Sequence, residues 1–116
     1  MPRNLYCWRC DLVLPMLDED EWAQLEPLLA NPIERIKSYR EAHGVDLREA
    51  HEHAFDEALA FYNALTGFDE TNANALWHHR LSDYGPPCTH CGKPLRTPRA
   101  KLCAACGRDR DPPLPP

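Results

Sequence analysis

The chain has 116 residues, of which 43% are hydrophobic and 27% charged, with a formal net charge of −5. That length accommodates one compact domain with at most a small appendage, since two full cores would need more chain. No apolar run nears the ~20 residues that span a bilayer, and the opening MPRNLYC lacks the apolar stretch of a secretory signal, so a cytoplasmic protein with no membrane partner is expected.

Residues 1–17 form the first segment. RNLYCWRCDLVLPML reads as two short extended pieces around the CxxC turn of Cys7 and Cys10, a knuckle-like hairpin. Residues 18–84 read as an acidic helical body of three to four helices. Asp18 followed by Glu21 is a capping-box signature that opens a helix carrying Trp22, Leu25, Leu28 and Leu29, with Pro27 expected to kink or split it. Asn31-Pro32 opens a second helix through Ile33, Ile36 and Tyr39, ending at Gly44. Asp46 and Glu49 repeat the cap. The stripe Leu47, Ala50, Ala54, Ala58, Phe61, Leu65 then predicts one long helix up to Gly67. A shorter helix is expected from Asn72 to Leu81. The predicted core is Trp22, Leu25, Ile33, Ile36, Leu47, Phe55, Phe61, Leu65 and Trp77.

Residues 85–108 contain two CxxCG elements, Cys88/Cys91 and Cys103/Cys106, separated by eleven residues. A CxxC turn sets two thiolates on one side of a tight loop, and the glycine that follows tolerates positive φ. Two such knuckles close a tetrahedral four-thiolate zinc site with no open position, the hallmark of a structural zinc ribbon. A ribbon this short has almost no apolar core, so the metal would supply its folding energy. His90, inside a knuckle, is expected at the surface. Residues 109–116, with four prolines, read as an extended tail. The expected fold is therefore α+β: a helical body, a C-terminal four-cysteine zinc ribbon and an N-terminal CxxC knuckle, the two metal-binding ends packing together.

Cys7 and Cys10 have no second pair beside them. They fit a second zinc completed by remote residues, with His78 and His79 the best-placed candidates. The competing readings are a knuckle shared with one C-terminal pair and, last, a thioredoxin-like redox dithiol, against which counts the lack of a strand-helix-strand pattern around CWRC. His51-Glu52-His53 is not a metalloprotease motif: side chains two apart on a helix diverge by about 200°. Those histidines and His43 read as a solvated face. No phosphate loop, nucleophile elbow or catalytic set is present, and an enzyme is not expected.

Charge divides the chain. Residues 18–83 hold 15 acidic and 5 basic side chains, whereas 85–110 hold 6 basic and 1 acidic. An acidic body suits a basic protein partner, and the ribbon's Lys93, Arg96, Arg99 and Lys101 suit phosphate, which keeps a nucleic-acid-binding or regulatory ribbon protein as the alternative.

The stretch TGFDETNANALWHHRLSDYGPPCTHCGKPLRTPRAKLCAACG, with the opening YCWRC, resembles small bacterial zinc-ribbon proteins encoded beside polymorphic toxin genes, including Rhs-type toxins, as candidate immunity proteins. The resemblance implies a non-enzymatic, zinc-stabilised interaction module that neutralises a toxin effector domain by binding it. It carries no family binding residues onto this chain.

Overall fold

The computed structural model describes residues 2–115; Met1 and Pro116, the outermost positions of the first and last predicted segments, lie outside the described residues. The architecture is α+β. An antiparallel hairpin, β1 (Arg3–Cys7) and β2 (Leu12–Met16), leads into α1 (Glu19–Leu29), α2 (Pro32–His43), α3 (Leu47–His53) and α4 (Asp56–Thr66). Two 3-10 turns, Ala73–His78 and Leu81–Asp83, then precede the ribbon. No helix is long and apolar enough to cross a membrane among the described residues.

The capping box forms in full. Asp18 Oδ1 accepts from the Glu21 amide at 2.8 Å and Glu21 Oε1 accepts from the Asp18 amide at 2.9 Å. Pro27 does not split α1. It occupies the last turn, so its missing N–H costs one hydrogen bond before the helix ends at Leu29 anyway. Asn31 is left-handed (φ 55°) and makes no side-chain cap, so α2 begins on Pro32 alone.

The long helix predicted over 46–67 is two helices. The chain breaks at Ala54-Phe55, which buries Phe55 and lets α3 follow α2 while α4 turns onto α1. The main core is Leu17, Trp22, Leu25, Leu29, Phe55, Ala58, Tyr62 and Leu76, with Ile36 and Phe61 packed at its edge. Four residues predicted for it are exposed instead: Ile33 (79%), Leu47 (59%), Trp77 (42%) and Leu65. For Ile33 and Leu47 the reason is the break: α2 pairs with α3 as a hairpin, and α2 meets the core only through half-buried Ile36. The molecule is correspondingly long, 54 × 24 × 24 Å, with a radius of gyration of 16.9 Å; a compact chain of this length would have about 13 Å.

The helix predicted over 72–81 is instead a 3-10 turn, Ala73–His78, and a second one begins at Leu81. After the first, Leu17 N–H donates to the His79 carbonyl and Leu81 N–H to the Leu17 carbonyl, so the end of β2 pairs in parallel with the segment 79–81. Arg80 reinforces the join with a fork onto Glu19, Nε–Oε1 2.9 Å and Nη2–Oε2 2.7 Å, while Ser82 Oγ donates to Oε1 at 2.6 Å. These bonds hold the Glu19 carboxyl down to about 2, from an ordinary 4.5. A carboxylate depressed in the folded state contributes stability above its unfolded pKa and loses it as pH falls. Glu19→Gln should therefore be less stable than the wild type above pH 4.5, and the two urea midpoints should converge as pH falls towards 2.

The ribbon is built from two knuckle hairpins closed by isolated bridges, Pro87 with Pro94 and Leu102 with Asp109, around buried Cys88, Leu95 and Cys103. It attaches through Gly85, whose N–H donates to the Leu95 carbonyl at 2.8 Å, while Leu95 N–H returns a bond to Pro86. A Cβ on Gly85 would lie 2.4 Å from the Thr97 carbonyl oxygen and 2.8 Å from Leu95 Cβ. Backbone cannot swing aside as a side-chain tip can. Gly85→Ala should cost about 1–3 kcal/mol and speed proteolysis within the ribbon. Gly44→Ala, which has open space and only its φ of 63° against it, should leave the ribbon's protease resistance unchanged.

Candidate metal centres

All three CxxC turns share one backbone geometry. In the ribbon, Gly92 N–H donates to the Cys88 carbonyl (2.9 Å) and Gly107 N–H to the Cys103 carbonyl (2.8 Å), each glycine at φ 79°. The first cysteine of each then pairs five residues on: Cys88 N–H with the Lys93 carbonyl, and Cys103 N–H with the Arg108 carbonyl, both 2.8 Å. The N-terminal hairpin repeats this. Asp11 N–H donates to the Cys7 carbonyl at 2.8 Å, Asp11 is left-handed at φ 55°, and Cys7 pairs with Leu12. An aspartate does what glycine does elsewhere, and its carboxylate accepts a 2.6 Å bond from Tyr6 Oη. Asp is among the few residues that tolerate this region.

The four ribbon cysteines gather into one group, their sulfurs within 4.8 Å of one another. Cys88 Sγ lies 3.7 Å from Cys106 Sγ and Cys91 Sγ 3.6 Å from Cys103 Sγ. A disulfide would require about 2.05 Å, whereas the edge of a tetrahedron with zinc–sulfur bonds of about 2.3 Å is about 3.8 Å. All six cysteines are free thiols. The Cys91 and His90 amides point at Cys88 and hold its thiol down to about 6, while desolvation and the crowding of the other sulfurs raise Cys91 and Cys106. His90 itself is exposed.

Cys7 and Cys10 join neither ribbon pair. They meet His79, and the three donor atoms lie within 4.8 Å of one another. Cys10 Sγ is 3.7 Å from His79 Nε2; the corresponding sulfur–nitrogen edge at a tetrahedral zinc is about 3.6 Å. Cys7 and His79 are both 0% exposed. Burial pushes the Cys10 thiol up to about 11, with Cys7 adding to it, and burial beside His78 pushes His79 down to about 4, which keeps the imidazole neutral. Tyr84 Oη lies 3.2 Å from Cys7 Sγ and donates to the His78 carbonyl at 2.7 Å, fixing the turn that presents His79.

The structure chooses between the two histidines. His79 caps the 3-10 turn, its N–H donating to the Leu76 carbonyl, and is fully buried, whereas His78 is only half-buried and stays outside the ligand group. His43, His51 and His53 are exposed on α2 and α3, and His53 pairs with Asp56 at 3.1 Å.

The two centres are joined by rings and cations. Arg96 of the ribbon stacks on Trp8 at 4.1 Å, Arg9 lies at 4.8 Å from the same ring, and Lys93 sits 4.3 Å from the Tyr6 ring. Two of the cations expected to meet phosphate thus cover aromatic faces of the N-terminal knuckle. No family model matches the chain, and neither a curated protein nor a solved structure shows significant similarity to it.

Proposed function

We propose that this protein is a non-enzymatic scaffold stabilised by two zinc ions that binds a protein partner through the α2–α3 hairpin, acting as a bacterial immunity protein towards a basic toxin effector domain in the cytoplasm. Zinc is the metal that best suits a closed four-thiolate set beside a Cys2His set, being content with tetrahedral sulfur and nitrogen ligands and needing no redox partner. The observation that carries the interaction is the hairpin itself. It leaves Ile33 on α2 and Leu47 on α3 exposed between charged side chains of both signs, Glu34, Arg35 and Lys37 on one helix and Asp46, Arg48 and Glu49 at the start of the other. Exposed apolar side chains rimmed by charge mark contact surfaces, and the acidic excess of residues 18–83, which lies on the segments flanking the hairpin (18–30 and 55–83), suits a cationic partner that reaches beyond it.

The test is a pull-down from the native host at low salt, with and without nuclease, comparing wild type with Ile33→Asp/Leu47→Asp. A stoichiometric protein that survives nuclease, and whose affinity falls roughly tenfold or more in the double variant, is the expected result; the variant should keep its metal content. Binding that is indifferent to both substitutions would remove the hairpin from the account.

The groove between the N-terminal knuckle and the ribbon favours nucleic acid as the second reading. It encloses about 400 Å³ and sets Trp8 and Trp77 beside Arg9 and Arg96, the pairing of stacking faces and cations that holds single strands. In the same experiment it predicts captured nucleic acid that disappears with nuclease or added salt.

A further inference from the structure

The second metal centre differs from the ribbon's in the number of donors it supplies. Cys88, Cys91, Cys103 and Cys106 make four; Cys7, Cys10 and His79 make three. The neighbours that could supply a fourth are otherwise engaged or out of position. Tyr84 Oη is spent on the His78 carbonyl and Cys7. Glu70 Oε1 accepts from the Thr71 and Asn72 amides, both at 3.1 Å, and its carboxylate lies outside the group of donor atoms within 4.8 Å of one another. His78 has a buried, unpartnered Nδ1, yet it does not join the ligand group. Beside the centre lies a cavity of about 390 Å³ whose wall includes Cys10, Arg9, Glu70, His78, Leu14 and Phe68.

We infer that the Cys7–Cys10–His79 centre, when it holds its metal, keeps one coordination position for a small anionic donor from outside the chain, admitted through this cavity. The inference rests on the two-zinc reading above. Charge supports it: four thiolates on a dication leave −2, which repels an anion, whereas two thiolates and a neutral imidazole leave none. At the cavity wall Arg9 offsets the charge of Glu70, and Arg9 and His78 supply donors that an anion could meet on the way in. A metal with three protein ligands and an accessible fourth position is the arrangement that binds exogenous ligands. The class of ligand is therefore a compact anion with one metal-seeking atom, a thiolate being the best match to the sulfur-rich shell.

The full chain loaded with cobalt in place of zinc provides the test, with azide and a small thiol as probes. The closed ribbon centre is the internal reference, because its thiolate-to-cobalt bands should not move. The expected result is a saturable change in the ligand-field bands on adding either probe, with one probe bound per chain, and the same response in His78→Ala. Failure of the wild type to respond overturns the inference. So does a response seen in His78→Ala alone, since His78 would then close the shell. One cobalt per chain overturns the second metal centre as well, which separates that failure from the failure of the open position alone.

Discussion

With both proposed zinc ions bound, replacing His79 with alanine should release one of them and unfold the helical body. The side chain is fully buried, brackets Cys10 at 3.7 Å, and packs at 5.3 Å from the Tyr62 ring, which is itself fully buried. Its carbonyl also receives the Leu17 N–H that joins β2 to the 3-10 segment. Structural zinc in small domains is worth about 10–16 kcal/mol of apparent binding energy, and a buried large-to-small change adds roughly 2–5 kcal/mol. A domain of ordinary stability, about 5–15 kcal/mol, would not withstand losing most of that sum. His79→Ala should therefore show one metal per chain by elemental analysis and a circular-dichroism spectrum without a cooperative thermal transition. His79→Cys, which restores a ligand, should recover both ions. His78→Ala should cost only about 1 kcal/mol and keep both. If His78→Ala instead were the variant that lost an ion, the assignment of ligands would be reversed.

Cys103→Ser should have an effect as large but confined to the ribbon. The buried residues there are Cys88, Leu95 and Cys103. Burying one leucine contributes about 1.5–3 kcal/mol, whereas ordering each residue costs about 1–2 kcal/mol, so without its metal the segment cannot hold its shape. Amide exchange should lose protection across residues 85–110 while α1 and α4 keep theirs, and the metal count should fall to one. Trp8 should report the change in its fluorescence, because Arg96 leaves its face. Survival of protection in the ribbon would show that its contacts with the N-terminal knuckle suffice to fold it.

Much of this architecture was legible in the chain, and the rest was not for identifiable reasons. The CxxC turns, the Asp18–Glu21 capping box and the α+β composition depend on residues within a few positions of one another, and they form as the pattern requires. The grouping of Cys88, Cys91, Cys103 and Cys106 spans eighteen positions at most and follows the same logic. The break at Ala54-Phe55 was hidden because Ala50, Ala54 and Ala58 continue the helical stripe straight through it. Packing against α1 outweighs the small cost of interrupting one helix, and Ile33 and Leu47 are left outside as a result. The N-terminal hairpin was legible as well, although Asp11 stands where the other two knuckles have glycine.

His79 marks the boundary most clearly. The sequence alone placed two adjacent histidines upstream of the ribbon and a cysteine pair with no partners, and it determined the knuckle geometry of that pair. It could not choose between the histidines, nor bring either across 69 positions to Cys10. Those decisions belong to the tertiary structure: the parallel join of Leu17 with Arg80 carries the end of the 3-10 turn to the sulfurs, where the buried cap residue His79 and not His78 meets them. Local chemistry is written in spacing, because short loops leave few conformations to choose among. A centre assembled from distant segments exists only once the hydrophobic core has paid the entropy of bringing them together.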